Sequence, residues 1–405
     1  MTNSLILTLL LLFGTSTASF AQEEFGQALP NLLRSNEQFG RRLLVVVDSA
    51  ASERNVVISP LSLTLVFGAL QTHLPGGRGS GRKEMSDVFG WGEYPNLDVP
   101  ARMLLAAFDK PVQVHPQSKD MPHVPAPHTH PQGAWITNDL FYRYQNTLSE
   151  RFVYDAEKYY GMKFRSTGSS RPSETYLERK GAQPKVSGKD DLLISSGVHL
   201  QTAWSGNTFS MSTPRKMTFT AMSGEAKQVE VLDSELSGYY YEKTDTFEAA
   251  VLPCNHVYMV VILPAPGESL HDVEQQLADM PELIDSALKK QPGIVTMPMF
   301  HFQFESNMRQ QLEQLGVRKV FEDLGSIMKI PNSHLTDVSQ RTDILVNKEG
   351  IQASAETIVG AVYGGIGFAQ KPFHLELNRP FIFLIRDRVT NALMFLGVVK
   401  NPSTS

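Results

Sequence analysis

The sequence predicts an α+β fold, and three observations carry that expectation. Strand-like and helix-like runs interleave without the regular repeat of parallel βαβ units. The run Val257-Tyr258-Met259-Val260-Val261-Ile262-Leu263 is apolar throughout, the mark of a strand buried on both faces. Residues 25–48, by contrast, place Phe25, Leu29, Leu32, Leu33, Phe39, Leu43 and Leu44 at helical spacing, which predicts an amphipathic opening helix or pair of helices. The 405 residues are 41% apolar and 20% charged, enough apolar material for one large core, and no internal repeat is visible.

From the N-terminus, Leu5 to Phe13 is an apolar run followed by small residues that end in Ser19-Phe20-Ala21. This predicts a secretory signal over residues 1–21, cleaved after Ala21; the run is short of the ~20 apolar residues a membrane span needs. The mature chain is therefore expected to be exported, either extracellular or, in a bacterium, periplasmic. After the opening helix, residues 55–59 read as a short strand. Ser59-Pro60-Leu61-Ser62 then starts a helix through Leu70, with Ser59 at the N-cap and Pro60 at the first helical position. The glycine-rich stretch 75–81 is a turn. Residues 110–133, rich in proline and holding His115, His123, His128 and His130, read as an irregular insertion. Without a third convergent ligand, His128 and His130 do not make a metal site.

Beyond the insertion, strands are predicted at 192–200, 216–221, 247–252 and 257–263, then a helix carrying Leu270, Val273 and Leu277. A strand at 294–304, a helix around 308–315 and two closing strands at 380–386 and 393–399 complete the series.

A net charge of −5 and the absence of long basic runs argue against a nucleic-acid partner. The isolated pairs Arg41-Arg42 and Lys289-Lys290 read as solvated surface. Cys254 is the only cysteine, so no intramolecular disulfide forms, and its apolar neighbours mark it as a small buried hydrophobe. HExxH, a Walker loop and a Gly-x-Ser-x-Gly elbow are all missing, and Gly77, Gly79 and Gly81 follow a helix rather than a strand. No catalytic residue, cofactor or metal is predicted, and the chain is not read as an enzyme.

One segment stands apart. From Gly350, the residues split by parity into a small or apolar face (Ile351, Ala353, Ala355, Thr357, Val359) and a mainly polar face (Gln352, Ser354, Glu356, Ile358). That is the pattern of a half-buried strand, yet it runs into Gly360 and then Gly364-Gly365-Ile366-Gly367.

The C-terminal motifs Val346-Asn347-Lys348-Glu349-Gly350, Asn378-Arg379-Pro380-Phe381-Ile382-Phe383 and Phe395-Leu396-Gly397-Val398-Val399 closely resemble the end of a serpin. Asn55 to Ser62 resembles the N-terminal motif of that family at the expected distance, and Phe302 to Phe321 the segment before its hinge. The resemblance covers nearly all of the mature chain, in order. It implies a single domain over 22–405 with three β-sheets, eight to nine helices and an exposed reactive-centre loop, hinge and loop together spanning 349–375.

In inhibitory serpins a protease cleaves that loop and forms an acyl-enzyme, and the freed hinge inserts as a new strand in the largest sheet. The resemblance thus implies a monomeric partner of an extracellular serine protease. Gly350, Ile351, Ala353, Ala355 and Thr357 form the hinge, whose inward parity carries no charge. The usual hinge length places the scissile bond at Tyr363–Gly364, an aromatic site suited to a chymotrypsin-like pocket. Phe368–Ala369 is the competing bond, and Lys371 is a poor trypsin site because Pro372 comes next. Where the family usually has Asn and His partners near the opening point of the sheet, this chain has Ser196 and Gln340, beside the retained Ser59 and Ser62. At the acid–lysine pair above them stand Lys348 and Met299. Two functions are consistent with these residues: a suicide-substrate inhibitor of a chymotrypsin- or elastase-like protease, or a non-inhibitory binding, carrier or storage protein.

Overall fold

The structure, a computed structural model, describes residues 18–92, 96–108, 133–142, 148–166, 192–206, 208–209, 211–280, 288–324, 327–329, 333–352 and 371–403. In chain order these form α1 (Ala18–Ala51), β1 (Val56–Ile58), α2 (Pro60–Gln71), α3 (Gly81–Phe89), α4 (Asp98–Phe108), β2 (Gly133–Tyr142), α5 (Glu150–Tyr160) and β3 (Met162–Ser166). Next come β4 (Leu192–Ala203), β5 (Arg215–Thr220), β6 (Ala226–Asp233), β7 (Ser237–Lys243), β8 (Phe247–Pro253), β9 (Val257–Pro264) and α6 (Leu270–Asp279). The C-terminal part holds β10 (Lys289–Pro298), β11 (Phe300–Asn307), α7 (Arg309–Leu315), a 3-10 turn (Lys319–Phe321), β12 (Leu335–Val346), β13 (Gly350–Gln352), β14 (Phe373–Glu376), β15 (Phe381–Asp387) and β16 (Leu393–Val399).

The class is α+β, as expected. A six-stranded sheet runs β11-β12-β13-β4-β2-β3, and a ten-stranded one runs β1-β16-β15-β9-β8-β7-β10-β6-β5 with β14 on the side of β10. Two of the three expected sheets are joined because β10 is long: its first half pairs with β7 and its second with β6 and β14. Seven α-helices stand among the described residues, against the eight or nine expected. The opening helix is a single helix with Pro30 inside it. The strand predicted at 294–304 is two strands in different sheets, divided at Met299. The signal segment up to residue 17 and the Pro/His-rich insertion up to residue 132 lie outside the described residues.

Helix α2 explains how the sheets share one core. All of its residues are buried, since it packs on β16 from one side and on β4 and β2 from the other. Its start agrees with the sequence: the Ser59 hydroxyl accepts from the Ser62 N–H and Pro60 comes directly after the cap. Strands β15 and β16 are buried at every position. Gly397 lies between β1 and β15, where an added Cβ would fall 2.5 Å from the Val56 carbonyl oxygen.

Two buried charge groups were not foreseen. The pair Arg41-Arg42 is not a solvated surface. Arg41 is 2% exposed and donates from Nε to Glu37 (3.0 Å) and from a terminal nitrogen to the Leu277 carbonyl (3.2 Å), while Arg42 donates to the Gln38 carbonyl (3.3 Å). Buried Arg386 of β15 shares the Glu37 carboxylate. At the other end of α1, buried Lys400 pairs with Asp48 at 2.9 Å and donates to the Ser52 carbonyl. Glu274 of α6 is 1% exposed, and neither oxygen finds a hydrogen-bond donor among the described residues. Burial, and then the Asp48 carboxylate, push its carboxyl up to about 9.

Gly397→Ala should force backbone apart at the centre of a sheet and cost about 1–3 kcal/mol, read from the midpoint of urea unfolding. For Glu274, the folded chain holds a proton that the unfolded chain releases above about pH 4.3, so its unfavourable contribution grows as the pH rises from there towards 9. Glu274→Gln should therefore raise stability relative to the parent more at about pH 8 than at about pH 5, checked by urea unfolding at both.

Candidate functional site: the seam between β12 and β4

Strand β12 alternates, and the even positions Val338, Gln340, Thr342, Ile344 and Val346 are buried. Gln340 is thereby placed on the core face, above the start of α2, with no exposure at all. Its Oε1 accepts from the Ser59 N–H (2.9 Å), and its Nε2 donates to the Ser59 carbonyl (2.8 Å) and to the Ser62 hydroxyl (2.9 Å). The Ser62 hydroxyl donates in turn to the Ser59 carbonyl at 3.0 Å. One neutral amide thus ties the sheet to the N-terminus of α2. Three of the four sequence-predicted residues meet in this network.

The fourth, Ser196, is the direct parallel partner of Gln340 across the strands. Its hydroxyl turns the other way and donates to Asn138 Oδ1 on β2 at 2.7 Å. Asn138 is 2% exposed, and its Nδ2 has no partner among the described residues. Sequence reasoning missed Asn138. The signal lay in the parity of Ile136, Asn138 and Leu140, which sets an amide among inward apolar positions.

Strands β12 and β4 pair only from Leu335–Leu192 to Gln340–Ser196. Beyond that point they part. At the far end β13 sits between them, antiparallel to both: Ile351 faces Val346 on one side and Thr202 on the other, and Gln352 faces Leu345 and Gln201. Between the two zones, Arg341–Ile344 and residues 197–200 have no cross-strand partner in the seam among the described residues. Ile351 is 2% exposed, in keeping with its inward parity. Gly350 has φ +155°, and a Cβ there would lie 2.1 Å from the Thr202 carbonyl oxygen. Only glycine lets the chain pass so close to β4.

Above the seam, Trp204 donates from its indole nitrogen to the Asn347 carbonyl at 2.8 Å and packs edge-on against Phe209. Cys254, bridged to Trp204, is fully buried, and burial pushes its thiol well up, in line with its reading as a structural hydrophobe. On the other side of the loop, β14 is held by parallel pairing to β10. There the Phe373 ring stacks on Tyr241 at 3.8 Å and covers Gly293. Ala353, Ala355, Thr357, Tyr363 and Gly364 lie outside the described residues. No group of three or more His, Cys, Asp or Glu side chains able to hold a metal occurs among the described residues.

Replacing Gln340 by Leu roughly keeps the volume but leaves the Ser59 N–H without its side-chain acceptor and the Ser59 carbonyl with the Ser62 hydroxyl alone. This should cost about 2–4 kcal/mol of stability, measured by urea unfolding, whereas Gln340→Glu at neutral pH should cost more by burying a charge.

The family model for serpins, described as "Serpin (serine protease inhibitor)", matches residues 34–402. A serine protease inhibitor of Cyanea capillata is 26% identical over 371 residues, covering 87% of this chain and 93% of the relative. Iripin-1 of Ixodes ricinus is 23% identical, with 93% of this chain and 96% of the relative covered. Among solved structures, the mouse protein-Z dependent protease inhibitor superposes with a TM-score of 0.76 at 18% identity, over 94% of this chain and all of that one. Human thyroxine-binding globulin complexed with thyroxine gives 0.76 at 16% identity, over 93% of this chain and all of that one. The fold, the split six-stranded sheet and a family match over nearly the whole chain lead to one conclusion: this chain belongs to the serpin family.

Proposed function

We propose that the protein is a secreted suicide-substrate inhibitor of an extracellular serine protease with chymotrypsin- or elastase-like specificity, exported by its 1–21 signal. The observation that carries this reading is β13, which enters the six-stranded sheet in register with both flanking strands. Its partners run on without a break. Continued along the chain, the β12 register brings Thr357 opposite Gln340, and the β4 register brings it opposite Ser196. Those two residues are already each other's partners, so the two registers agree. A strand growing from Gln352 would first line the unpaired seam with Ala353 to Glu356 and then reach the Ser59–Ser62–Gln340 network.

In this mechanism the protease serine attacks the Tyr363 carbonyl carbon, the Tyr363–Gly364 peptide bond breaks, and Gly364 leaves with a free amino group. The severed N-terminal part keeps the protease as an ester on Tyr363 and inserts. Backbone N–H and C=O groups gain partners on both sides, each hydrogen bond adding about 1 kcal/mol net. Small inward side chains at Ala353 and Ala355 fit a close-packed interior without the cost of a buried charge. The C-terminal side of the cleaved loop stays on β10 through β14.

A second reading, a non-inhibitory binding or carrier protein, is favoured by the Gln340 network, which fastens the closed sheet to α2 through three hydrogen bonds. Incubation of the mature protein with a chymotrypsin-like protease separates the two. A band at the summed mass that survives a denaturing gel, with a released peptide beginning at Gly364, supports trapping; clean cleavage without that band, repeated with elastase- and trypsin-like enzymes, leaves the carrier reading. Ala355→Glu should still be cleaved at the parent rate, yet give at least about tenfold less covalent complex, because its carboxylate would have to enter the core.

A further inference from the structure

We infer that Asn347 is the positioning residue that aims the hinge into the seam, an inference that rests on the trapping mechanism proposed above. The chain reverses between β12 and β13 over Asn347-Lys348-Glu349-Gly350, and Asn347 supplies the polar contacts that close this turn. Its Oδ1 accepts from the Glu349 and Gly350 N–H groups, both at 3.1 Å. Its own N–H donates to the Gly350 carbonyl at 3.1 Å. Its carbonyl takes the Trp204 indole N–H at 2.8 Å, and the Trp204 N–H donates to the Glu349 carbonyl at 3.3 Å. The turn is thereby closed on itself by one side chain and fastened to the end of β4 by the flanking Trp204. An Asn side chain that accepts from amides two and three residues on mimics a backbone turn at the start of a reversal.

What the turn controls is direction. Gly350 leaves it with φ +155° and passes so close to the Thr202 carbonyl that no Cβ fits. From there Ile351 has no choice of side: it pairs with Val346 and Thr202 together. Were the turn to open, Gly350–Gln352 would lose the anchor that sets their register, and after cleavage insertion would start later. Insertion competes with hydrolysis of the acyl-enzyme, so a delay diverts molecules to cleaved, released product without altering how fast the loop is cut. Lys348 and Glu349 take no side-chain part in this closure, which rests on Asn347 Oδ1, the backbone and Trp204.

The test compares the parent with Asn347→Ala and with Asn347→Asp, which keeps the acceptor oxygen. Deuterium uptake by the amides of residues 201–203 and 350–352 should rise about tenfold in Asn347→Ala and stay within about twofold of the parent in Asn347→Asp at neutral pH. With a protease that the parent traps, Asn347→Ala should need about threefold more inhibitor per protease molecule while its loop is cleaved at the parent rate, and Asn347→Asp should restore the parent ratio. Unchanged uptake in Asn347→Ala, or equal loss in Asn347→Asp, overturns the inference. Should Asn347→Ala fail to fold, Trp204→Phe removes the indole donor while keeping an aromatic, though smaller, ring beside Phe209, and should raise uptake at 350–352 in the same direction; no rise overturns the inference too. If the parent traps no protease, the inhibitor reading falls, and the exchange measurement still decides the role of Asn347.

Discussion

The seam between β12 and β4 is the constraint on which the rest of the molecule turns. A sheet interior is ordinarily stabilised by continuous ladders, because a buried amide or carbonyl without a partner is costly. Here the two central strands are bonded at one end, wedged by three residues at the other, and unbridged between them among the described residues. The bonded end is parallel, the slightly weaker arrangement per residue. Such a sheet has a stretch of both strands without a seam partner among the described residues, and a segment of the same chain standing at its far end. On the proposed mechanism this seam is the destination for Gly350 and the residues after it once the far end of the loop is released.

The closed end is tied to the core rather than merely to its neighbour strand. Gln340 reaches from the core face of the sheet to the cap of α2, and α2 is the element buried between both sheets. Parting β12 from β4 below Gln340 therefore acts on the anchor of the whole core. The tie is a neutral amide with both its N–H groups and its oxygen engaged, so no buried charge has to be compensated there. Elsewhere the chain does bury charge, and it needs convergent partners to do so: Glu37 is shared by Arg41 and Arg386, and Lys400 is held by Asp48 and a carbonyl. Keeping ionisable groups out of the Gln340 network makes the closed seam insensitive to protonation at that point.

Much of this was legible in the sequence, for reasons of periodicity. The strand at 257–263 and the closing strands were plain because they are buried on both faces and read as unbroken apolar runs. Ser59-Pro60 marked the start of α2 because cap chemistry is local. Contacts between distant residues were not legible. Arg41 sits one turn after Glu37, which suggests a surface pair, whereas the Leu277 carbonyl that it reaches and the Arg386 that shares Glu37 lie far along the chain. β6 and β7 escaped notice because they alternate with many exposed polar positions, and the break at Met299 because residues on both sides of it are strand-like. At the seam, family resemblance pointed to Ser59, Ser62, Ser196 and Gln340 as a cluster, but not to the division of labour in which Gln340 binds α2 while Ser196 binds Asn138.

That division bears on why the closed arrangement can yield. Ser196 satisfies the oxygen of Asn138 and leaves its Nδ2, buried and without a partner among the described residues, next to the place where the seam begins. A donor left in that condition carries a cost of about 1–3 kcal/mol. On the proposed path of insertion, the strand arriving between β12 and β4 brings a threonine to the level of Ser196, on the same inward parity as Ile351. There the threonine hydroxyl would face Ser196, the residue whose hydroxyl holds Asn138. Closure is thus strong where Gln340 grips α2 and incomplete where Ser196 meets Asn138. On the proposed mechanism, a split of that kind would let the sheet stay shut by itself and still favour one more strand when that strand is set free.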